Sequence, residues 1–159
     1  LLKFILLALG LLAVDQGSKW LVQNRMSPGE SIAVIDPVFY LTYVRNPGAA
    51  FGMLPYMTVF FVIIAVVVIV GIIVFARQIA RGRFLLKTGL ALQVGGAMGN
   101  LTDRLRFGHV IDFFDFRVWP VFNMADIGIV LGVGILFIEL LKSDSDFSQD
   151  APAGGKEKP

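Results

Sequence analysis

Carboxylates are the groups in this chain best placed to do chemistry. The sequence holds no cysteine and one histidine, His109. That excludes disulfides, thiol nucleophiles and the usual His/Cys zinc sites within one chain, so neither metal nor cofactor is expected. The H-E-x-x-H helix of a metalloprotease is absent, and no serine accompanies His109 in residues 106–124. Polar residues remain in four groups: Asp15 with Lys19, Asn100 with Asp103 and Arg104, His109 with Asp112, and Asn123 with Asp126.

A carboxylate locked to a cation stays ionised and shuttles protons poorly. Asp15 has Lys19 four residues on, on the same helix face, and Asp103 has Arg104 adjacent, so both read as structural. Asp112 lies in the apolar stretch Val110-Ile111-Asp112-Phe113-Phe114 with only His109 as a basic neighbour. Asp126 follows Phe122-Asn123-Met124-Ala125 and precedes an unbroken apolar run. Two such carboxyls brought together cannot both ionise easily. They would share one proton, one polarising a carbonyl while the other activates water, as in aspartic proteases. Asp115 is the rival for Asp112.

The elements that must position these residues are membrane helices. The chain of 159 residues is 56% hydrophobic and 16% charged, with a mean hydropathy of +0.75, too apolar for a soluble domain. A helix needs about 20 apolar residues to cross a bilayer. Met57 to Ala76 meets this without a charge, and three further spans are expected at Leu1 to about Val22, about Phe84 to Leu105 and about Ala125 to Leu141. The first run has the Lys3 and apolar core of a signal peptide, but it passes into Val14-Asp15-Gln16 without a small-x-small cleavage site and is expected to be a retained helix. Gly95 and Gly99, and Gly128 and Gly132, have the G-x-x-x-G spacing of close helix contacts, with no partner assignable.

Arg77, Arg81, Arg83 and Lys87 crowd the link after the second span. By the positive-inside rule that link and both termini are cytoplasmic, and loops 23–56 and 106–124 face outward. Within the first outer loop, Ser31 to Ile35 and Val38 to Val44 read as two short strands broken at Asp36-Pro37. Residues 1–142 thus form one α-helical membrane domain of four transmembrane helices with a small extracytoplasmic β-rich segment. Residues 143–159 are expected to be a disordered cytoplasmic tail. The modest net charge of +2 offers no basic stripe for nucleic acid.

Five segments of this chain resemble the bacterial lipoprotein signal peptidases. Asp15-Gln16-Gly17-Ser18-Lys19 is similar to that family's D-Q-x-x-K, and Arg45 to Gly52 to its R-N-x-G-A-A-F-G. Gly99 to Arg104 is similar to G-N-x-x-D-R, Gly108 to Phe113 to G-x-V-x-D-F, and Phe122 to Asp126 to F-N-x-A-D. Their order between four spans makes the resemblance specific, and it covers about residues 10–140. It implies a membrane aspartyl endopeptidase of the bacterial cytoplasmic (inner) membrane, working near the extracytoplasmic face. Its substrate is a prolipoprotein carrying diacylglyceryl, cleaved just before the lipidated cysteine; its inhibitors are globomycin-type cyclic peptides. Membrane lipid is the other implied partner, and no obligate protein partner is expected.

Carried over by position, the resemblance makes Asp112 and Asp126 the catalytic pair. Asp15, Lys19, Asn46, Gly52, Asn100, Asp103, Arg104 and Asn123 fall on motif positions for substrate contact or structural support. The small residues Gly48, Ala49, Ala50 and Gly52 suit a loop approached closely by a substrate backbone. Asn46 and Asn100 can donate and accept hydrogen bonds at once. A small proton-coupled transporter is the alternative, since it too would place Asp and Arg in its spans. It should show inverted repeats and helices broken at mid-membrane, whereas the two halves of this chain show no convincing repeat and the polar groups lie toward one end.

Overall fold

The computed structural model describes residues 2–48, 57–79 and 83–149. Four long helices occupy the expected runs: α1 (Leu2–Arg25), α2 (Thr58–Ile79), α3 (Phe84–Phe107) and α4 (Met124–Gln149). Three of them, α1, α2 and α4, are long and apolar enough to cross a membrane by length and composition. The fourth, α3, has the length, but Lys87, Gln93, Asn100, Asp103, Arg104 and Arg106 lower its apolarity. It is the central helix, packed against α1, α2, α4 and the sheet. Asn100, Asp103 and Arg104 of α3 are therefore met by protein rather than lipid, as intramembrane polar groups require.

The bundle is inverted relative to a soluble protein. On α1 the buried residues are Ala8, Asp15, Lys19 and Val22, one stripe at helical spacing, while Leu6, Leu9, Val14 and Leu21 are exposed. α2 exposes Val59, Ile63, Val67 and Val70 along its length, the surface expected of a lipid-facing helix. The small residues of α3 and α4 set the helix spacing. A Cβ on Gly95 would lie 2.6 Å from the Ala8 carbonyl oxygen of α1, and one on Gly132 would lie 2.6 Å from that of Gly89 on α3. The two G-x-x-x-G pairs thus do not face each other: Gly95 meets α1, and Gly132 of α4 meets Gly89.

Above the bundle lies an antiparallel sheet of order β1-β2-β3, with β1 at Ser31–Ile35, β2 at Phe39–Asn46 and β3 at Val110–Asp115. The first two strands are those the β-branched and aromatic runs predict, joined across Asp36-Pro37. The third lies in loop 106–124 and was not anticipated. Ile111 and Phe113 of β3 join Tyr43 of β2, Val22 of α1 and Met26 just beyond it in one apolar cluster, which fastens the sheet to the end of α1. Asp112, between Ile111 and Phe113, necessarily points to the other face. At the far end of the chain, α4 continues to Gln149 rather than stopping at 142. No glycine or proline interrupts Ser143 to Gln149, so nothing local ends the helix there.

Candidate active site

Two carboxyl clusters form where β3 and the start of α4 meet the upper turns of α1 and α3. The first is closed. The Lys19 ammonium lies 2.9 Å from Asp15 Oδ2 and 2.9 Å from Asp103 Oδ2, and it donates to Asn100 Oδ1 at 3.0 Å. Its three protons are thereby all used. The spare oxygens are met as well: Asp15 Oδ1 accepts the Ala125 N–H at 2.9 Å, and Asp103 Oδ1 accepts from the Gln16 amide at 2.9 Å, while Asp103 Oδ2 also takes the Ile111 N–H at 3.1 Å. Gln16, to which the spacing gave no role, bridges Asp15, Asp103 and the Gly99 carbonyl through its amide nitrogen. Asp15, Lys19 and Asp103 are at most 1% exposed.

Both acids read as structural are therefore paired, but the expected partner of Asp103 is corrected. Its cation is Lys19 of α1, not the adjacent Arg104. Consecutive helical residues point about 100° apart, so neighbours in sequence do not face each other. Arg104 turns instead to donate to the Gly48 carbonyl at 3.1 Å, with its guanidinium 4.9 Å from the Phe61 ring centroid.

The second cluster is held by neutral amides. Because Lys19 has only donors, the oxygen of the Asn100 amide faces it and the amide nitrogen is left to donate to Asp126 Oδ1 at 2.8 Å. Asn123 precedes α4 and forms a reciprocal cap with Asp126. Its Oδ1 accepts the Asp126 N–H at 3.0 Å, while Asp126 Oδ2 accepts the Asn123 N–H at 3.2 Å. The Asn123 amide nitrogen also donates to Asp112 Oδ1 at 2.6 Å. Asn46 donates to Asp112 Oδ2 at 2.9 Å. Val44 is paired with Asp112 and Asn46 with Val110, which puts Asn46 diagonally across from Asp112 on the same sheet face.

Asp112 and Asp126 line a single cleft of about 280 Å³, together with Asn46, Asn100 and Arg104. Apolar walls come from Trp119, Pro120 and Val121 and from Ile129 and Val130 of α4. Asp112 is 2% exposed. Burial, and then the nearby charge of Asp126, push its carboxyl from 3.8 up to about 7, against the opposing effects of Asn46, Asn123 and Lys19. A buried acid near neutrality beside a second carboxyl can both give and take a proton at ordinary pH.

The rival, Asp115, is tied down elsewhere. Thr42 Oγ1 donates to it at 2.7 Å and Arg117 pairs with it at 3.3 Å. Burial raises its carboxyl, but the Thr42 hydroxyl, the Arg117 N–H and the guanidinium together hold it below the usual carboxylate range. His109 packs on Phe107 and is not among the described residues lining the cleft. Gly52, with Ala49 and Ala50, lies outside the described residues. Trp119, Pro120, Val121, Ile129 and Val130 were missed as lining residues because apolar side chains carry no chemical signature in sequence.

Comparison with known proteins agrees with this geometry. The signal peptidase (SPase) II family matches residues 7–142. A lipoprotein signal peptidase of Moorella thermoacetica is 53% identical over 88% of this chain and 93% of its own. One from Pelotomaculum thermopropionicum is 53% identical over 91% and 94%, and one from Bacillus subtilis 42% identical over 87% and 92%. A solved bacterial membrane enzyme superposes with a TM-score of 0.86 at 32% identity, covering 97% of this chain and 94% of that one. A second gives 0.82 at 33% identity, covering 88% and 93%. The chain belongs to the signal peptidase II family of aspartic-type peptidases.

Proposed function

We propose that this membrane endopeptidase removes the signal peptide from diacylglyceryl-modified prolipoproteins, with Asp112 and Asp126 acting as one catalytic unit. The observation that carries the assignment is that two carboxyls line one cleft with neutral amides for partners, one of them buried and pushed up to about 7. With one proton between them, the protonated carboxyl hydrogen-bonds the scissile carbonyl while the ionised one takes a proton from the attacking water. The collapse of the tetrahedral intermediate returns a proton to the leaving amine. Asn46, Asn100 and Asn123 fix the carboxyl planes, and Arg104 stands beside them as the cation of the cleft. The cut falls just before the lipidated cysteine.

Both termini lie in the cytoplasm of a bacterial inner membrane, and the cleft opens near the extracytoplasmic face, where a translocated precursor arrives. The basic link between α2 and α3 supports this orientation. Because the chain has no native cysteine, single cysteines test it cleanly. Val38→Cys, in the turn between β1 and β2, should react with an impermeant thiol reagent in intact cells, whereas Gly82→Cys should react only after the membrane is opened. The reverse pattern would put the cleft on the wrong side.

The activity itself is tested with purified protein in detergent and a precursor with or without diacylglyceryl on its cysteine. The lipidated precursor should be cut to a product beginning at that cysteine, and the unmodified one left intact. Chelators and thiol reagents should leave cleavage unchanged, and globomycin-type cyclic peptides should block it. Loss of cleavage on chelation, restored by zinc, would overturn the carboxyl mechanism.

A further inference from the structure

The segment between β3 and α4 supplies four residues of the cleft wall, Trp119, Pro120, Val121 and Phe122, and the way it is held points to a role in substrate binding. It is anchored at its later end by a bridge between Phe114 and Phe122, with N–H to O distances of 2.8 and 3.1 Å. Phe116 adds a ring contact to Phe39 at 4.9 Å. Between these anchors Val118 is 91% and Trp119 62% exposed, while Pro120 and Val121 are half-buried.

Arg117 is the one non-glycine among the described residues with a positive φ, 64°, a backbone conformation L-residues rarely adopt. In that conformation its N–H donates to Asp115 Oδ1 at 2.8 Å, and its side chain folds back over the sheet. There the guanidinium pairs with Asp115 Oδ2 at 3.3 Å, donates to the Ser31 hydroxyl at 2.8 Å and covers the Tyr40 ring at 3.7 Å. The hydroxyls of Ser31 and Thr42 bond each other at 2.8 Å, and Thr42 bonds Asp115. One side chain thus grips β1, β2 and β3 together. An unusual backbone conformation, stabilised by a polar cluster just before exposed cleft residues, is better explained by shaping the cleft than by supporting a core.

We propose that Arg117 is a positioning residue for substrate: by locking the turn after β3 onto all three strands, it holds Trp119 to Val121 as a fixed wall of the cleft. The inference rests on the proteolytic reading of that cleft. It predicts that loosening the turn weakens substrate binding and leaves the chemical step intact, because Arg117 touches neither Asp112 nor Asp126.

Three variants separate the side chain from the backbone. Arg117→Gly accepts a positive φ without strain, so it removes only the clamp, whereas Arg117→Ala removes the clamp and strains the turn. Arg117→Lys keeps the charge but not the planar stack or the fork. In cleavage of a lipidated precursor, Arg117→Gly and Arg117→Ala should each raise KM about tenfold with kcat within about twofold of wild type, and Arg117→Lys should recover part of the loss. The chain has two tryptophans, so in a Trp20→Phe background Trp119 is the sole emitter. Its anisotropy should fall in Arg117→Gly. A wild-type KM in Arg117→Gly, a kcat loss at unchanged KM, or an Arg117→Ala defect that Arg117→Gly repairs would each overturn the clamp, whatever the anisotropy does. If the wild-type protein fails to cut the precursor, the proteolytic reading fails instead.

Discussion

Two pairs of aspartates lie within one polar region of this protein, and they are treated in opposite ways. Asp15 and Asp103 share a lysine whose three protons are all committed, and both are closed off from solvent. Asp112 and Asp126 receive amide and backbone donors instead of a cation, and they line a cleft. The first arrangement fixes charge and holds α1 to α3. The second leaves two carboxyls facing a cleft with no cation bound to either among the described residues. Asn100 joins the two: its oxygen is claimed by the lysine of the structural pair, which aims its nitrogen at Asp126.

The contrast is broken most severely at Lys19. Lys19→Met leaves two buried carboxylates without their cation and should destabilise the fold by about 3–5 kcal/mol, read as a large drop in melting temperature in detergent. A variant that melts like wild type would show that the closed cluster does not hold the bundle.

A pH series separates the clusters next. Asp112 titrates at about 7 in the folded protein against 3.8 ordinarily. Between those values the folded chain binds the extra proton, so this group's contribution to stability falls as pH rises. Asp112→Asn removes that penalty. Relative to wild type, it should gain stability from about pH 4 to about pH 7, by on the order of a few kcal/mol. An unchanging difference would mean that burial and Asp126 do not raise the carboxyl.

Smaller effects sharpen the comparison. Asn46→Ala removes one neutral donor to Asp112 from the cleft side, so turnover should fall by about tenfold, with a stability loss of about 1 kcal/mol. Melting far below wild type would mark Asn46 as structural. Asp115→Asn should change least of all in kcat, because that carboxylate is spent on Thr42 and Arg117, outside the cleft. An inactive Asp115→Asn would restore it as the rival of Asp112.

Helices and site were legible in the sequence to different depths, for physical reasons. Long apolar runs announced α1, α2 and α4, because lipid demands them of any spanning helix. The polar groups stood out against that background, and the test of a nearby cation separated Asp15 and Asp103 from Asp112 and Asp126. What failed was partner assignment across helices. Arg104 is next to Asp103 in sequence, yet Lys19, 84 positions earlier, is next to it in space. β3 went unread because Val110 to Asp115 is too short to show a period once Asp112 interrupts it. The Asn123–Asp126 cap was written in the spacing, with an N-cap residue three before a carboxylate at the start of an apolar run.

The claim that Asp112 and Asp126 work as one unit is tested most directly by measuring kcat for a lipidated precursor in Asp112→Asn, Asp126→Asn and the double variant. All three should fold, and each single change should cost as much as both together, a loss of about a thousandfold or more. Near-normal turnover by either single variant, or losses that multiply in the double variant, would contradict a shared proton.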